Sequence, residues 1–212
     1  MGYYLAASVI FILINIFFLV TFAQNKSTDA KNMSLFIVGI LLWQITVIGI
    51  SITSRISDNS TLLTFWGRMS YGGALAMNWG FWKFGNNLFQ DYYDFGRKEY
   101  IIFGLAGLIT FSPLVIIQTD LVRKGVYEHN FSMLYYILVL WMAGVFFLTL
   151  YKIIKNYFRI KSNSNKRRFK LLIVGVILSA VAVVFTNLLY PAITGKSTLS
   201  SYGPFSLIIL EA

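Results

Sequence analysis

The sequence predicts an all-α integral membrane protein, a seven-helix bundle with its N-terminus outside and its C-terminus inside. Of the 212 residues, 57% are hydrophobic and 12% are charged, and the mean hydropathy is +0.68. A soluble domain of this length cannot bury so much apolar surface. The apolar residues form separate runs of about 20 residues, the length that crosses a bilayer as a helix. A strongly basic segment separates two of these runs.

The basic segment, residues 152–170, orients the predicted bundle. It reads KIIKNYFRIKSNSNKRRFK, with eight Lys or Arg and no acidic residue. It joins the apolar runs 133–151 and 171–190, and positively charged loops of this kind remain in the cytoplasm. Its first half, to about residue 160, is expected to extend the fifth span as an amphipathic helix. A plain solvated loop is the alternative.

Seven spans in a single transmembrane domain follow from this orientation. They are predicted at residues 3–22, 33–54, 63–84, 100–118, 133–151, 171–190 and 202–212. The seventh is incomplete, because eleven residues rise only about 16 Å as a helix, roughly half a bilayer. The protein is therefore expected to continue beyond Ala212. Pro113 removes one helix hydrogen bond and is expected to kink the fourth span.

Small residues in two spans predict close helix contacts. Gly72, Ala76 and Gly80 recur every fourth residue in the third span. This spacing puts three small side chains on one face, where another helix can approach closely. Gly175 and Ser179 form a similar pair in the sixth span.

Polar residues within the spans are the candidates for binding a ligand. Arg68 lies roughly 8 Å along the third helix, which is deep for a charge exposed to lipid. It is expected either to anchor the helix at the outer interface or to line an outward-opening pocket with Trp66 and Asn187. Trp66 also fits the role of an interface tryptophan. Asn78 and Gln44 complete the candidate set, which suits an anionic or polar ligand.

The sequence contains no pattern typical of an enzyme or a metal site. Cys is absent, which excludes disulfides, thiolate ligands and cysteine nucleophiles. No Gly-rich phosphate loop, catalytic triad pattern or pair of intramembrane carboxylates occurs. His129 is expected to be exposed to solvent in a hydrophilic loop. We expect no catalysis, cofactor or metal, and the net charge of +10 indicates topology rather than nucleic acid binding.

Several stretches resemble the N-terminal seven-transmembrane sensor region of bacterial histidine kinases. They are FWGRMSYGGALAMNWGFWKFGNNLF in the third span, RRFKLLIVGVILSAVAVVFTNLLYP in the sixth, and YGPFSLIIL at the seventh. The matching residues are Arg68, Arg167 or Arg168, Gly175, Asn187, Pro191, Gly203 and Pro204. The resemblance covers essentially all of the chain.

The resemblance implies a signal-input domain in the inner membrane of a bacterium. In that family the membrane region detects a stimulus and passes it to a cytoplasmic phosphotransfer module, here through the seventh helix. The implied partners are the lipid bilayer, a small or hydrophobic ligand and the kinase module, and a homodimer remains open. Two other functions also remain open: a small multi-span transporter or channel, and a membrane scaffold protein.

Overall fold

The computed structural model describes residues 2–24, 28–87 and 97–158, with a few positions between 170 and 178. Those residues are mostly helical. The elements are α1 (Gly2–Gln24), α2 (Thr28–Ile56), α3 (Ser60–Asn87), α4 (Arg97–Phe111), β1 (Ile116–Arg123), β2 (Val126–Phe131) and α5 (Met133–Tyr157). The predicted seventh span and most of the sixth lie outside the described residues.

Two of the described helices are long and apolar enough to cross a membrane. They are Ala30–Ile56, which is most of α2, and Met133–Tyr157, which is α5. The apolar part of α1, Val9–Gln24, is shorter. Large apolar side chains of α1 and α5, among them Phe17 and Leu140, are more than half exposed. An extensive apolar surface of this kind is typical of contact with lipid or with another protein.

The central helix of the described part is α3, which contacts α2, α4, α5 and β1. It joins two buried apolar clusters. One comprises Phe11, Phe36, Ile40, Trp43, Val47, Phe81 and Ile153, and the other comprises Leu75, Phe103, Ala106, Val115, Ile116, Tyr135, Leu138 and Met142. Because Phe81 and Leu75 both belong to α3, a displacement of this helix would disturb the packing of both clusters.

The most extensive helix contact joins α2 to α3, and glycine makes it close. A Cβ added at Gly80 would lie 2.4 Å from the backbone N of Phe36, and one added at Gly73 would lie 2.6 Å from the backbone of α2. Gly39 occupies the reciprocal position on α2, where an added Cβ would lie 2.2 Å from the backbone N of Met77. No side chain fits these gaps, so the two backbones are in direct contact.

The predicted small residues of α3 face two different helices. Ala76 and Gly80 lie against α2, whereas a Cβ added at Gly72 would lie 2.6 Å from the ring of Phe111 in α4. Residues four apart on a helix drift around its axis by about 40° at each step. This drift turns Gly72 away from α2, and Gly73 takes the third position on that face.

The fourth helix is shorter than predicted, and a β-hairpin follows it. α4 ends at Phe111 and Pro113 lies in the following turn, so the proline accompanies the end of the helix rather than a kink within it. β1 and β2 pair antiparallel about a turn at Gly125, whose φ of 79° favours glycine. The all-α prediction is therefore corrected: residues 116–131 form a two-stranded sheet.

Candidate functional site

The hairpin packs on the bundle where α2 ends and α3 begins, which we call the hairpin end. Arg68 of α3 connects the bundle to β1 there. Its guanidinium donates to the carbonyl oxygen of Ile116 from Nε at 3.1 Å and from Nη2 at 2.9 Å, and Nη2 also donates to the carbonyl of Ile117 at 3.2 Å. Hydrogen bonds from a charged donor are stronger than neutral ones. Arg68 therefore holds the backbone of β1 against α3.

A second polar contact, one helical turn away, lies between α3 and the hairpin. The amide of Thr119 donates to Thr64 Oγ1 at 2.8 Å, and Thr119 Oγ1 lies 2.7 Å from His129 Nδ1. Thr119 and His129 are opposite each other in the strand register and share one face. The imidazole rests on Gly67, where an added Cβ would lie 2.9 Å from Cε1. We call these four residues the Thr–His contact.

His129 is half-buried rather than exposed to solvent as the sequence suggested. The rings of Tyr127 and Phe131 flank it, with centroids 5.3 and 5.6 Å away. Burial lowers the pKa of His129 from its ordinary 6.5 to about 4, because an enclosed site disfavours the charged imidazolium. The ring in the hairpin is therefore neutral at pH 7.

A column of aromatic rings continues from the hairpin into the bundle. Phe131 stacks on Tyr135 of α5 with centroids 3.8 Å apart, and the hydroxyls of Tyr135 and Tyr71 lie 3.3 Å apart. Tyr71 of α3 also meets Phe131 edge-on at 6.2 Å. Because packed rings leave little free space, a movement of the hairpin would displace side chains of α3 and α5.

The turn of the hairpin lies on the end of α2. The amide of Gly125 donates to the carbonyl oxygen of Ser54 at 2.8 Å. The side chain of Arg55 lies beside the same glycine, 3.2 Å from an added Cβ. The hairpin thus contacts α2 through its turn and α3 through its strands, and it continues directly into α5.

The predicted ligand residues on α3 are not brought together. Trp66 faces α2, where its ring covers Gly49 at 2.6 Å from an added Cβ, while Arg68 binds β1. Asn78 is buried about 15 Å further along the helix. Its Nδ2 donates to the carbonyl oxygen of Met142 at 2.7 Å, which joins α3 to α5. Arg68, Trp66 and Asn78 therefore contact three separate elements.

Gln44 is a buried residue of α2 whose polar side chain lacks hydrogen bonds to the described residues. It is 4% exposed, and neither its Oε1 nor its Nε2 has a hydrogen-bond partner among the described residues. Asn187, the ligand candidate from the sixth span, lies outside the described residues, as does Ser179 of the predicted packing pair, whose other member, Gly175, is buried. The ligand-binding roles of Gln44 and Asn187 and the packing role of Gly175 and Ser179 stay predictions.

The end of the bundle opposite the hairpin carries a cluster of charged and aromatic side chains that the sequence did not single out. Trp82 Nε1 donates to Glu99 at 3.2 Å, and Lys83 Nζ donates to the hydroxyl of Tyr100 at 3.2 Å. Lys152 lies over the ring of Trp82, 4.1 Å from its centroid. Cation–π contacts of this kind stabilise partly desolvated ammonium groups. The cluster joins α3 to α4 and α5.

Neither metal chemistry nor a known family identifies the protein. Within the described ranges, no group of three His, Asp or Glu side chains is placed to hold a metal ion. Comparison of the chain with models of protein families, with curated proteins and with solved structures finds no match. A function has therefore to be inferred from the contacts of the hairpin end.

Proposed function

We propose that this chain is the membrane-embedded input domain of a bacterial sensor histidine kinase or a related signalling protein. In this proposal the chain crosses the inner membrane seven times and the hairpin end faces outward. A stimulus acts on the hairpin, and the seventh helix passes the signal to a cytoplasmic output module. The observation that carries the proposal is the attachment of the hairpin to α3 through Arg68.

The Arg68 attachment suits a switch because it consists of a few strong contacts. A shift from 10% to 90% of one hairpin position requires about 80-fold differential affinity, or about 2.6 kcal/mol. A hydrogen bond to a charged group contributes about 1.5–3 kcal/mol. A ligand that competes with the carbonyls of Ile116 and Ile117 for the guanidinium therefore has enough free energy to change the position of the hairpin.

The position of α3 supports the same proposal. Extensive contacts join α3 to α2, α4, α5 and β1. A change at Arg68 would therefore reach both buried clusters. A proton or cation transporter generally requires an acidic residue within the membrane. Among the described helices, Asp and Glu occur at Asp29 of α2 and Glu99 of α4, each in the first turn of its helix, which favours an input domain over a transporter.

Autophosphorylation of the full-length protein tests the proposal. Purified wild type in lipid nanodiscs is compared with Arg68→Ala, and Lys124→Ala serves as a matched control because it removes a positive charge from the exposed turn of the same hairpin. Arg68→Ala is expected to change the rate several-fold at equal abundance, whereas Lys124→Ala leaves it unchanged. Equal rates in all three proteins, or a full-length protein with no signalling module after the seventh helix, would contradict the proposal.

A further inference from the structure

We infer that docking of the hairpin on α3 depends on pH through protonation of His129 in the Thr–His contact. The inference goes beyond the proposed function, because it concerns the attachment of the hairpin and holds whether or not the chain signals. It rests on the geometry of four residues, Thr64, Gly67, Thr119 and His129, and on the charges around them.

The half-buried imidazole of His129 has little room for the hydration that a charged ring requires. Nδ1 lies 2.7 Å from Thr119 Oγ1, and Cε1 would be 2.9 Å from a Cβ at Gly67. The rings of Tyr127 and Phe131 flank the imidazole. A proton added to this ring therefore has to be accommodated between apolar side chains and the backbone of α3, where burial of a charge is costly.

The charged groups near the ring of His129 do not stabilise its protonated form, because the nearby charge on α3 is the positive guanidinium of Arg68. Among the side chains that the structure describes on the bundle side of the hairpin, the titratable residues are Arg68 and Tyr71 of α3, Tyr127 of β2 and Tyr135 of α5, with Arg55 of α2 beside the turn. The acidic residues of the hairpin, Asp120 and Glu128, are opposite each other in the register, one position from Thr119 and His129. Neighbouring residues of a strand point to opposite faces, so both carboxylates point away from the ring.

The direction of the effect follows from the two protonation states. The pKa of His129 is about 4 in the docked hairpin and is expected to return to 6.5 when the hairpin is released into water. Docking is therefore strongest above pH 6.5, where the ring is neutral in both states, and it weakens as the pH falls from 6.5 through 4, because the released ring is protonated first. The equilibrium constant for docking falls by about 300-fold in total, and by about 30-fold between pH 7.5 and pH 5.

A pair of spin labels measures docking directly. The chain has no Cys, so Lys124→Cys in the hairpin turn and Asp58→Cys beyond the end of α2 give one labelled pair. Both positions are exposed, and the docked turn lies on α2 at Ser54. Pulsed electron resonance on the full chain in nanodiscs, at pH 7.5 and at pH 4.5, reports the fraction of short docked distances. The same labelled pair is also measured with Arg68→Lys, which weakens docking. Both the docked and the released hairpin are then populated, so a change in the docked fraction with pH can be detected.

Two further variants assign the response. In His129→Asn the amide places a polar atom close to the position of Nδ1 but does not titrate, so acid should leave the docked fraction unchanged. Glu128→Gln removes a neighbouring titratable group that points away, and it should respond to acid as the parent does. The inference is overturned if the docked fraction is the same at both pH values in the wild-type and Arg68→Lys backgrounds. It is also overturned if acid releases the hairpin equally in His129→Asn.

Discussion

Arg68 in α3 donates two hydrogen bonds to the single carbonyl oxygen of Ile116 in β1, at 3.1 Å from Nε and 2.9 Å from Nη2. The two residues are 48 positions apart in the chain, and the whole of α4 lies between them. The contact therefore helps to determine where the hairpin lies relative to α3.

Replacing Arg68 should loosen the hairpin without unfolding the bundle. Arg68→Lys keeps the charge but loses the planar guanidinium that reaches the carbonyls of Ile116 and Ile117 together. We expect the attachment to weaken by about 1 kcal/mol in Arg68→Lys and by about 2–3 kcal/mol in Arg68→Ala. Amide hydrogen exchange of residues 116–131 should become faster in that order, with Lys124→Ala as the control. Unchanged exchange in Arg68→Ala would remove this contact from the account.

Replacement of glycine by alanine should have different effects on stability at Gly80 and at Gly104. Gly80→Ala places its Cβ against the backbone of Phe36, where the gap is 2.4 Å, and should destabilise the protein by about 1–3 kcal/mol. At Gly104 of α4 nothing lies within 4 Å of an added Cβ. Gly104→Ala should therefore be neutral or stabilise by up to about 1 kcal/mol through helix propensity. Thermal unfolding in detergent measures both, and equal effects would argue against close contact of α2 and α3.

Two buried amides should respond oppositely to replacement by leucine. Gln44 has no hydrogen-bond partner among the described residues, so Gln44→Leu should raise the unfolding temperature by removing an uncompensated polar group. Asn78→Leu removes the hydrogen bond to the carbonyl of Met142 and should lower it. A lower unfolding temperature for Gln44→Leu would instead indicate a polar partner or a bound molecule for Gln44.

The titration of His129 can be read from nuclear magnetic resonance, because the chain has one histidine. We expect a pKa of about 4 in the wild type, since burial disfavours the imidazolium. Thr64→Ala removes the acceptor of the Thr119 amide and should move the pKa toward 6.5 as the hairpin loosens. A wild-type pKa near 6.5 would show that the ring is solvated.

Much of the helical part could be predicted from the sequence, because long segments rich in apolar residues favour helix. The helices α1, α2, α3 and α5 contain the residues of four predicted spans. The end of α4 was missed because Ile116 and Ile117 extend the apolar run and look like helix. The signal for a hairpin was nevertheless present: Lys124 and Gly125 separate two short runs that contain β-branched and aromatic residues.

The polar contacts of the hairpin could not be predicted in the same way. The burial of His129 depends on its register with Thr119 and on the absence of a side chain at Gly67, which is 62 positions away. Long-range packing of this kind leaves no local periodicity. The position of Arg68 within an apolar run did indicate a special role, but its partners, two backbone carbonyls, carry no sequence signal.

The membrane orientation can be tested with single cysteines. The distribution of basic residues predicts that the loops at Ser57, Ser132 and Ser197 lie outside and that the loop at Ser162 lies inside. Cysteines at the first three positions should react with a membrane-impermeant thiol reagent in intact cells, and one at Ser162 should not. Labelling at Ser162 together with protection at Ser197 would reverse the orientation and place the hairpin end in the cytoplasm.

The central claim, that movement of the hairpin on α3 controls output, is tested most directly by locking the two together. A Cβ at Gly67 would lie 3.2 Å from Thr119 Oγ1, close enough for Gly67→Cys and Thr119→Cys to form a disulfide, whose Cβ atoms are about 3.8 Å apart. Autophosphorylation of the full-length double variant is measured oxidised and then reduced, so each sample is its own control. Both substitutions alter the Thr–His contact, so the test concerns the rate at a single pH and not its dependence on pH. If movement of the hairpin controls output, the oxidised protein keeps the rate of the docked state and reduction changes that rate. Identical rates in the oxidised and reduced states would contradict the central claim.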